Sequence, residues 1–167
     1  ALVMLTSWYP EMPFLDPFCG SGTIPIEAAM IGRNIAPGFN RDFICEQWPW
    51  IDGDMVQKVR DDADSKADYD IELDISASDI DGNMIEISKR NAEEAGLLAD
   101  IHFKQLAVAD FKTDKVNGVI VGNPPYGQRM SDEEHAHELY KQMGKVFNPL
   151  TSWSKYFLTS DLDFEKY

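Results

Sequence analysis

At 167 residues and 44% hydrophobic content the chain is the size of one domain with a single core. Fifteen Lys and Arg against 29 Asp and Glu leave a net charge of −14, a balance that disfavours phosphate contacts. No apolar run approaches the roughly 20 residues that span a membrane, no signal-peptide pattern is present, and the two cysteines, Cys19 and Cys45, suggest a reducing, cytoplasmic compartment without a disulfide framework.

In chain order, Ala1–Trp8 reads as the tail of a helix entered midway, and no initiator Met precedes it. A short strand, 13–16, then ends in Asp16-Pro17-Phe18-Cys19-Gly20-Ser21-Gly22-Thr23, a Gly-x-Gly turn that leads into a helix from Ile24 to Ile31. Pro25 falls in the first helical turn, where a missing N–H costs nothing, and Gly32 closes the helix. Strand, glycine turn and helix start together let backbone approach a ligand closely. Pro25 stands where a dinucleotide fingerprint needs its third Gly, and there is no P-loop Lys-Ser/Thr, which disfavours NAD, FAD and nucleoside triphosphates. Asp16 suits a ligand ammonium group, directly or through water. Cys19 reads as a small residue of the turn and not as a nucleophile.

Residues 52–74 are rich in Asp. Met55, Val56 and Val59 give a narrow apolar stripe at helical spacing, so the segment reads as a solvated surface excursion. A second strand, 75–79, ends in Asp79-Ile80-Asp81, followed by a helix over 83–95 closed at Gly96. A carboxylate at this place in a βαβ unit grips a ribose diol through both hydroxyls. The competing reading is that Asp79 and Asp81 only cap the helix; we prefer the diol for Asp79 and the cap for Asp81. A third strand, 101–105, leads to Asp110, placed to offer a carboxylate to an amino group on a bound adenine.

The run Val116–Val121 reads as a buried strand, 117–122, that Asn123-Pro124-Pro125-Tyr126 brings to a stop. The stop presents the Asn123 amide oxygen, the Pro124 carbonyl and the Tyr126 ring: two acceptors and a stacking face for a flat group bearing NH₂. An ordinary Pro-rich turn with a core Tyr is the plainer alternative. Gln128 and Arg129 would face substrate, Arg129 either on a phosphate or idle. A helix over 132–147 carries Leu139, Met143 and Phe147 on one stripe, and Trp153 and Tyr156-Phe157-Leu158 lead into a fifth strand, 155–160. His135 and His137 point apart on that helix with no Cys cluster nearby, so they read as solvated, and no metal is expected.

DPFCGSGT, SDID, NAEEAGL and NPPYG in this order resemble the class I S-adenosylmethionine-dependent methyltransferases that modify exocyclic amino groups. IPIEAAMIGRNIAPG and the Trp-rich EQWPW narrow the similarity to the THUMP-containing RNA N2-guanine methyltransferases, especially the large-subunit ribosomal RNA branch. Homologues there have also been labelled N6-adenine DNA methylases. The resemblance covers essentially the whole chain. It implies a Rossmann-like α/β fold with a doubly wound, mostly parallel sheet. The family has seven strands and five are read here, so 1–167 is expected to be a C-terminally truncated catalytic domain, with a final β-hairpin and an RNA-holding N-terminal THUMP region lying outside it. The implied cofactor is S-adenosylmethionine, held by Asp16, Phe18, Cys19, Gly20, Ser21, Gly22, Thr23, Asp79, Ile80, Asp110 and Asn123. The implied catalytic set is Asn123, Pro124, Pro125 and Tyr126. Many relatives carry an Asp in a GDA-like setting after the third strand; here the stretch is Gln105-Leu106-Ala107-Val108-Ala109-Asp110, leaving only Asp110 for the adenine.

The expected activity is methyl transfer to guanine N2 in RNA, most of all 23S ribosomal RNA, with no membrane or metal partner. Adenine N6 in DNA or RNA, a glutamine amide, guanine N2 in transfer RNA, and a catalytically silent cofactor-binding module remain open alternatives. Guanine and adenine both present a planar NH₂, so the motif does not separate them.

Overall fold

The computed structural model describes residues 1–125 and 130–167, with the side chains of 130–134 outside the description. Five strands, β1 (Phe14–Asp16), β2 (Ile75–Asp79), β3 (Ile101–Gln105), β4 (Val119–Gly122) and β5 (Ser154–Phe157), form one sheet in the order β3-β2-β1-β4-β5. Every pairing is parallel; Leu15 stands opposite Ser76 on one side and Ile120 on the other. Four helices, α1 (Thr23–Gly32), α2 (Gly53–Ser65), α3 (Gly82–Glu94) and α4 (Met130–Phe147), lie between the strands in sequence.

Period-two alternation sorts the central strands into two cores. Phe14, Ile75, Val119 and Val121 pack with Ala28, Ala29, Ile85 and Ala92 of α1 and α3. Leu15 and Ile120 turn the other way, onto Tyr140, Met143 and Phe147 of α4 and onto Trp153. Both faces are thus covered, and for that reason β4 and the first two residues of β1, Phe14 and Leu15, are consecutively apolar. The expected α/β class with a doubly wound parallel sheet is what the chain adopts.

Several boundaries differ from expectation. Residues 3–5 form a single 3₁₀ turn in place of a helix tail. β4 starts at Val119: Asn117 has φ +58°, its backbone N–H donates to the Ser152 hydroxyl oxygen, and Val116 is exposed. β5 ends at Phe157, although the Leu158 amide still donates to the Gly122 carbonyl. His137 is not simply solvated, because its Nε2 lies 3.1 Å from Asp161 Oδ2 and its ring stacks on Tyr167. The stripe of α2 is largely open, with Met55 and Val59 exposed beside a hollow of about 350 Å³ shared with Phe43 and Ile51.

Candidate active site

The carboxyl ends of β1 to β4 open onto a cavity of about 720 Å³. It lies where the strand order reverses, between β1 and β4, which is where open α/β sheets take ligands, and its size suits a small molecule. Pro17, Phe18, Cys19, Gly20, Ser21 and Thr23 supply the wall beneath β1, Asp79 and Ile80 the part beyond β2, and Asn123 and Pro125 the part beyond β4.

The turn after β1 is held at every step. Asp16 Oδ1 accepts from the Phe18 amide at 3.0 Å, the Ser78 carbonyl from Cys19 at 2.9 Å, and Asp79 Oδ2 from Gly20 at 3.0 Å. Asn91 of α3 donates to the Ser21 carbonyl at 2.8 Å. Gly22 has φ +87°, and a Cβ there would stand 2.8 Å from that of Ser88, so the residue is fixed both by backbone conformation and by the approach of α3. No side chain caps the start of α1, and Thr23 and Ile24 face the cavity, leaving a helix N-terminus open to an anionic group.

Asp16 lies behind the wall, with no exposed surface. Its Oδ2 has no hydrogen-bond partner. Burial, outweighing the Phe18 hydrogen bond and aided by the nearby Asp79 charge, raises its pKa to about 7. Burial, together with Asp16 and Asp79, also pushes the Cys19 thiol up to about 12, so it stays protonated and is a poor nucleophile. An orphaned carboxylate oxygen beside a ligand turn is the kind of group that a bound ammonium would satisfy.

Asp81 caps α3 by accepting from the Asn83 amide, and Asp79 does not share that role. Asp79 instead holds the Gly20 and Asp81 amides while standing in the wall. Asp110 departs from expectation. It ends a 3₁₀ turn over Val108–Asp110, is exposed, and is not part of the wall; Leu106 and Val108 take that place. Gly22 is buried behind the turn. At the end of β4, Asn123 is exposed to the cavity while Pro124 is buried and off the wall. Tyr140 of α4 directs its hydroxyl toward the Pro125 carbonyl at 3.5 Å. Tyr126, Gln128 and Arg129 lie outside the described residues.

Wall residues that sequence reasoning missed are Leu2, Pro17, Ile24, Leu106, Val108 and Leu139. Of these, Leu106 and Val108 carried a signal: apolar residues two apart just past a strand end, with no following strand or helix pattern to claim them. Among the described residues no His, Cys, Asp and Glu cluster could hold a metal, and no helix is long and apolar enough to cross a membrane.

A parallel sheet in this order, with a tethered glycine turn and an acidic second strand end around one crevice, defines a Rossmann-like class I methyltransferase fold. Residues 1–167 match the UPF0020 family, described as the RMKL-like methyltransferase domain, and the chain belongs to that family. It is 58% identical over 166 residues to "Putative RNA methyltransferase YpsC" of Bacillus subtilis (strain 168), covering 99% of this chain and 43% of that protein. It is 37% identical over 154 residues to "Ribosomal RNA large subunit methyltransferase K/L" of Shewanella sp. (strain W3-18-1), covering 89% of this chain and 22% of that protein. The chain thus spans less than half the length of these relatives.

Two solved structures share the fold closely. "SMU.472, a putative methyltransferase complexed with SAH" has TM-score 0.95 and 55% identity, over 98% of this chain and 44% of that one. "A predicted N6-adenine-specific DNA methylase from Listeria monocytogenes str. 4b F2365" has TM-score 0.96 and 55% identity, over 99% and 43%.

Proposed function

We propose that residues 1–167 form the catalytic domain of an S-adenosylmethionine-dependent RNA methyltransferase acting on an exocyclic amino group, guanine N2 of 23S ribosomal RNA being the favoured target. The observation that carries this reading is the meeting of the turn after β1, Asp79 and Asn123 around one cavity. The residues fit the cofactor: Asp16 Oδ2 is unpartnered and buried, as an ammonium would require, and the open start of α1 suits a carboxylate. Asp79, still in the wall after its two amide bonds, is left to accept from a ribose. The solved neighbour complexed with SAH supports the same ligand. The relatives named for RNA, one of them for the large ribosomal subunit, support the substrate class, and such a substrate would place the enzyme in the cytoplasm.

When bound, the cofactor supplies an electrophilic sulfonium methyl. The amino group of a base has its lone pair delocalised into the ring. Asn123 Oδ1, accepting one of its N–H bonds, favours positive charge on nitrogen and turns the lone pair toward the methyl. The Pro124 carbonyl is assigned as second acceptor by the motif, and Tyr126 as the face on which the base rests once it has left its stack. No strong base is needed first, because the proton becomes acidic only once nitrogen is alkylated. Alignment of the two reacting atoms supplies much of the remaining acceleration.

The name of the Listeria neighbour favours a second reading, methylation of adenine N6, which the same acceptors would serve. Single-turnover methylation by the full-length enzyme on ribosomal RNA, transfer RNA and DNA, followed by nucleoside mass spectrometry, separates the two. Methyl label in N2-methylguanosine is the expected outcome, and label in N6-methyladenine favours the alternative. Asn123→Ala should cut transfer by about 10²–10³, by analogy with removal of one preorganised oxyanion donor, while affinity for S-adenosylhomocysteine stays nearly intact. Full activity in that variant would overturn the role of the loop.

A further inference from the structure

We infer that this site grips the adenine of its cofactor by the ring faces and does not read the 6-amino group, so that ligands altered at that position bind nearly as well. The inference rests on the S-adenosylmethionine reading above. With the ribose at Asp79, the sheet order leaves the base between the ends of β2 and β3, since β3 is the neighbour of β2 on the side away from β1. There the wall consists of Ile80, Leu106 and Val108. Ile80 is 71% exposed, an apolar side chain that a flat ring would cover.

Several backbone acceptors around this end already hold a hydrogen bond. The Ile80 carbonyl accepts from Gln105 Nε2 at 3.0 Å, and the Asp79 carbonyl accepts from the Leu106 amide at 2.9 Å. The carbonyls of Ala107 and Val108 accept from the amides of Asp110 and Phe111, closing the 3₁₀ turn. That turn carries the Asp110 carboxylate to an exposed position off the wall. Among the described residues of this wall no side-chain carboxylate is placed to meet an amino group on the adenine, and affinity comes from removing both ring faces from water.

A site built to hydrogen-bond a ligand group rejects an analogue lacking it by as much as ~10⁴–10⁵, so the distinction is measurable by binding alone. Calorimetry on this chain should compare S-adenosylhomocysteine with its 6-deamino purine analogue, which lacks the amino group but keeps N1 as an acceptor, and with N6-methyl-S-adenosylhomocysteine. All three are expected to bind within about fivefold of one another, since no partner of the amino group is lost. Asp110→Ala should leave the affinity for S-adenosylhomocysteine within about twofold, as expected for an exposed residue off the wall. Ile80→Ala should weaken all three ligands by the same factor. A 6-deamino analogue about 30-fold or more weaker than S-adenosylhomocysteine would overturn the inference by showing a read amino group. So would a loss of about tenfold in Asp110→Ala, which would make that carboxylate the reader. Failure of S-adenosylhomocysteine itself to bind would instead remove the cofactor reading on which the inference stands.

Discussion

Asp16 combines full burial with one unpartnered carboxylate oxygen, and its protonation is therefore coupled to folding and to ligand binding. Burial raises its pKa from 3.8 to about 7. Between those values the folded chain keeps a proton that the unfolded chain has lost, so stability is greatest at the acid end, falls as pH rises, and levels off above about 7. The linkage is on the order of 4 kcal/mol. Urea unfolding of the ligand-free chain between pH 5 and pH 8 should show this decline, and Asp16→Asn should flatten it. An ammonium at Oδ2 favours the carboxylate, so binding S-adenosylhomocysteine near pH 6 should release about one proton. Calorimetry in two buffers of different ionisation enthalpy measures that release. Equal pH slopes for wild type and Asp16→Asn would remove Asp16 from this role. At this scale the sequence made the polar residues legible, because a carboxylate at a strand end has few structural uses. At Asp110 the choice rested on residue type alone, and the 3₁₀ turn there puts Leu106 and Val108 in the cavity wall and leaves Asp110 exposed and off it.

The elements follow from local rules wherever apolar period and stop signals agree. β1, β2 and β4 combine apolar or small inward residues with a stop at Asp16, at Asp79 or at Asn123-Pro124, and their C-terminal ends were predictable for that reason. β2 also begins at Ile75 as expected, but β1 begins one residue late, at Phe14, and β4 two residues late, at Val119. Asn117 in a left-handed conformation removes Val116 from β4, a choice made by the Ser152 contact from a distant part of the chain. The junction of the β1 turn with α3 offers a sharper test, because two glycines with positive φ differ in their surroundings. Gly22 would bring a Cβ to 2.8 Å from that of Ser88, whereas Gly96, φ +73°, has nothing within 4 Å. Gly96→Ala should cost only the conformational term, about 1–2 kcal/mol. Gly22→Ala adds overpacking against α3 and should cost about 2–5 kcal/mol in all. At about 2–4 °C per kcal/mol for a chain of this size, the two melting temperatures should separate clearly. Adding Ser88→Gly to Gly22→Ala should recover part of the loss, because it removes the clashing atom. Equal effects at the two glycines would mean that α3 does not constrain the turn.

At the scale of the whole molecule, charge sets the limit on what residues 1–167 do alone. The net charge of −14 is concentrated in part on α2 and the segment after it, where Asp52, Asp54, Asp61, Asp62, Asp64, Asp68 and Asp70 are all exposed. Only some of this charge is balanced by surface pairs such as Lys66 with Asp62, and pairs of that kind change the net field little. A polyanion approaching this domain meets repulsion instead of the steering that basic surfaces provide. Binding that does occur cannot draw much on counterion release, which supplies most non-specific affinity. The chain spans 43% of YpsC and 22% of the Shewanella enzyme, so more than half of each relative lies outside the matched region. Residues 1–167 should therefore take up S-adenosylhomocysteine while forming little complex with ribosomal RNA in a gel shift at about physiological salt, a condition that already weakens phosphate contacts. Full-length protein in the same experiment should shift the RNA. Sub-micromolar binding by the isolated chain would place the RNA surface within these residues, and the acidic face of α2 would then have to point away from it.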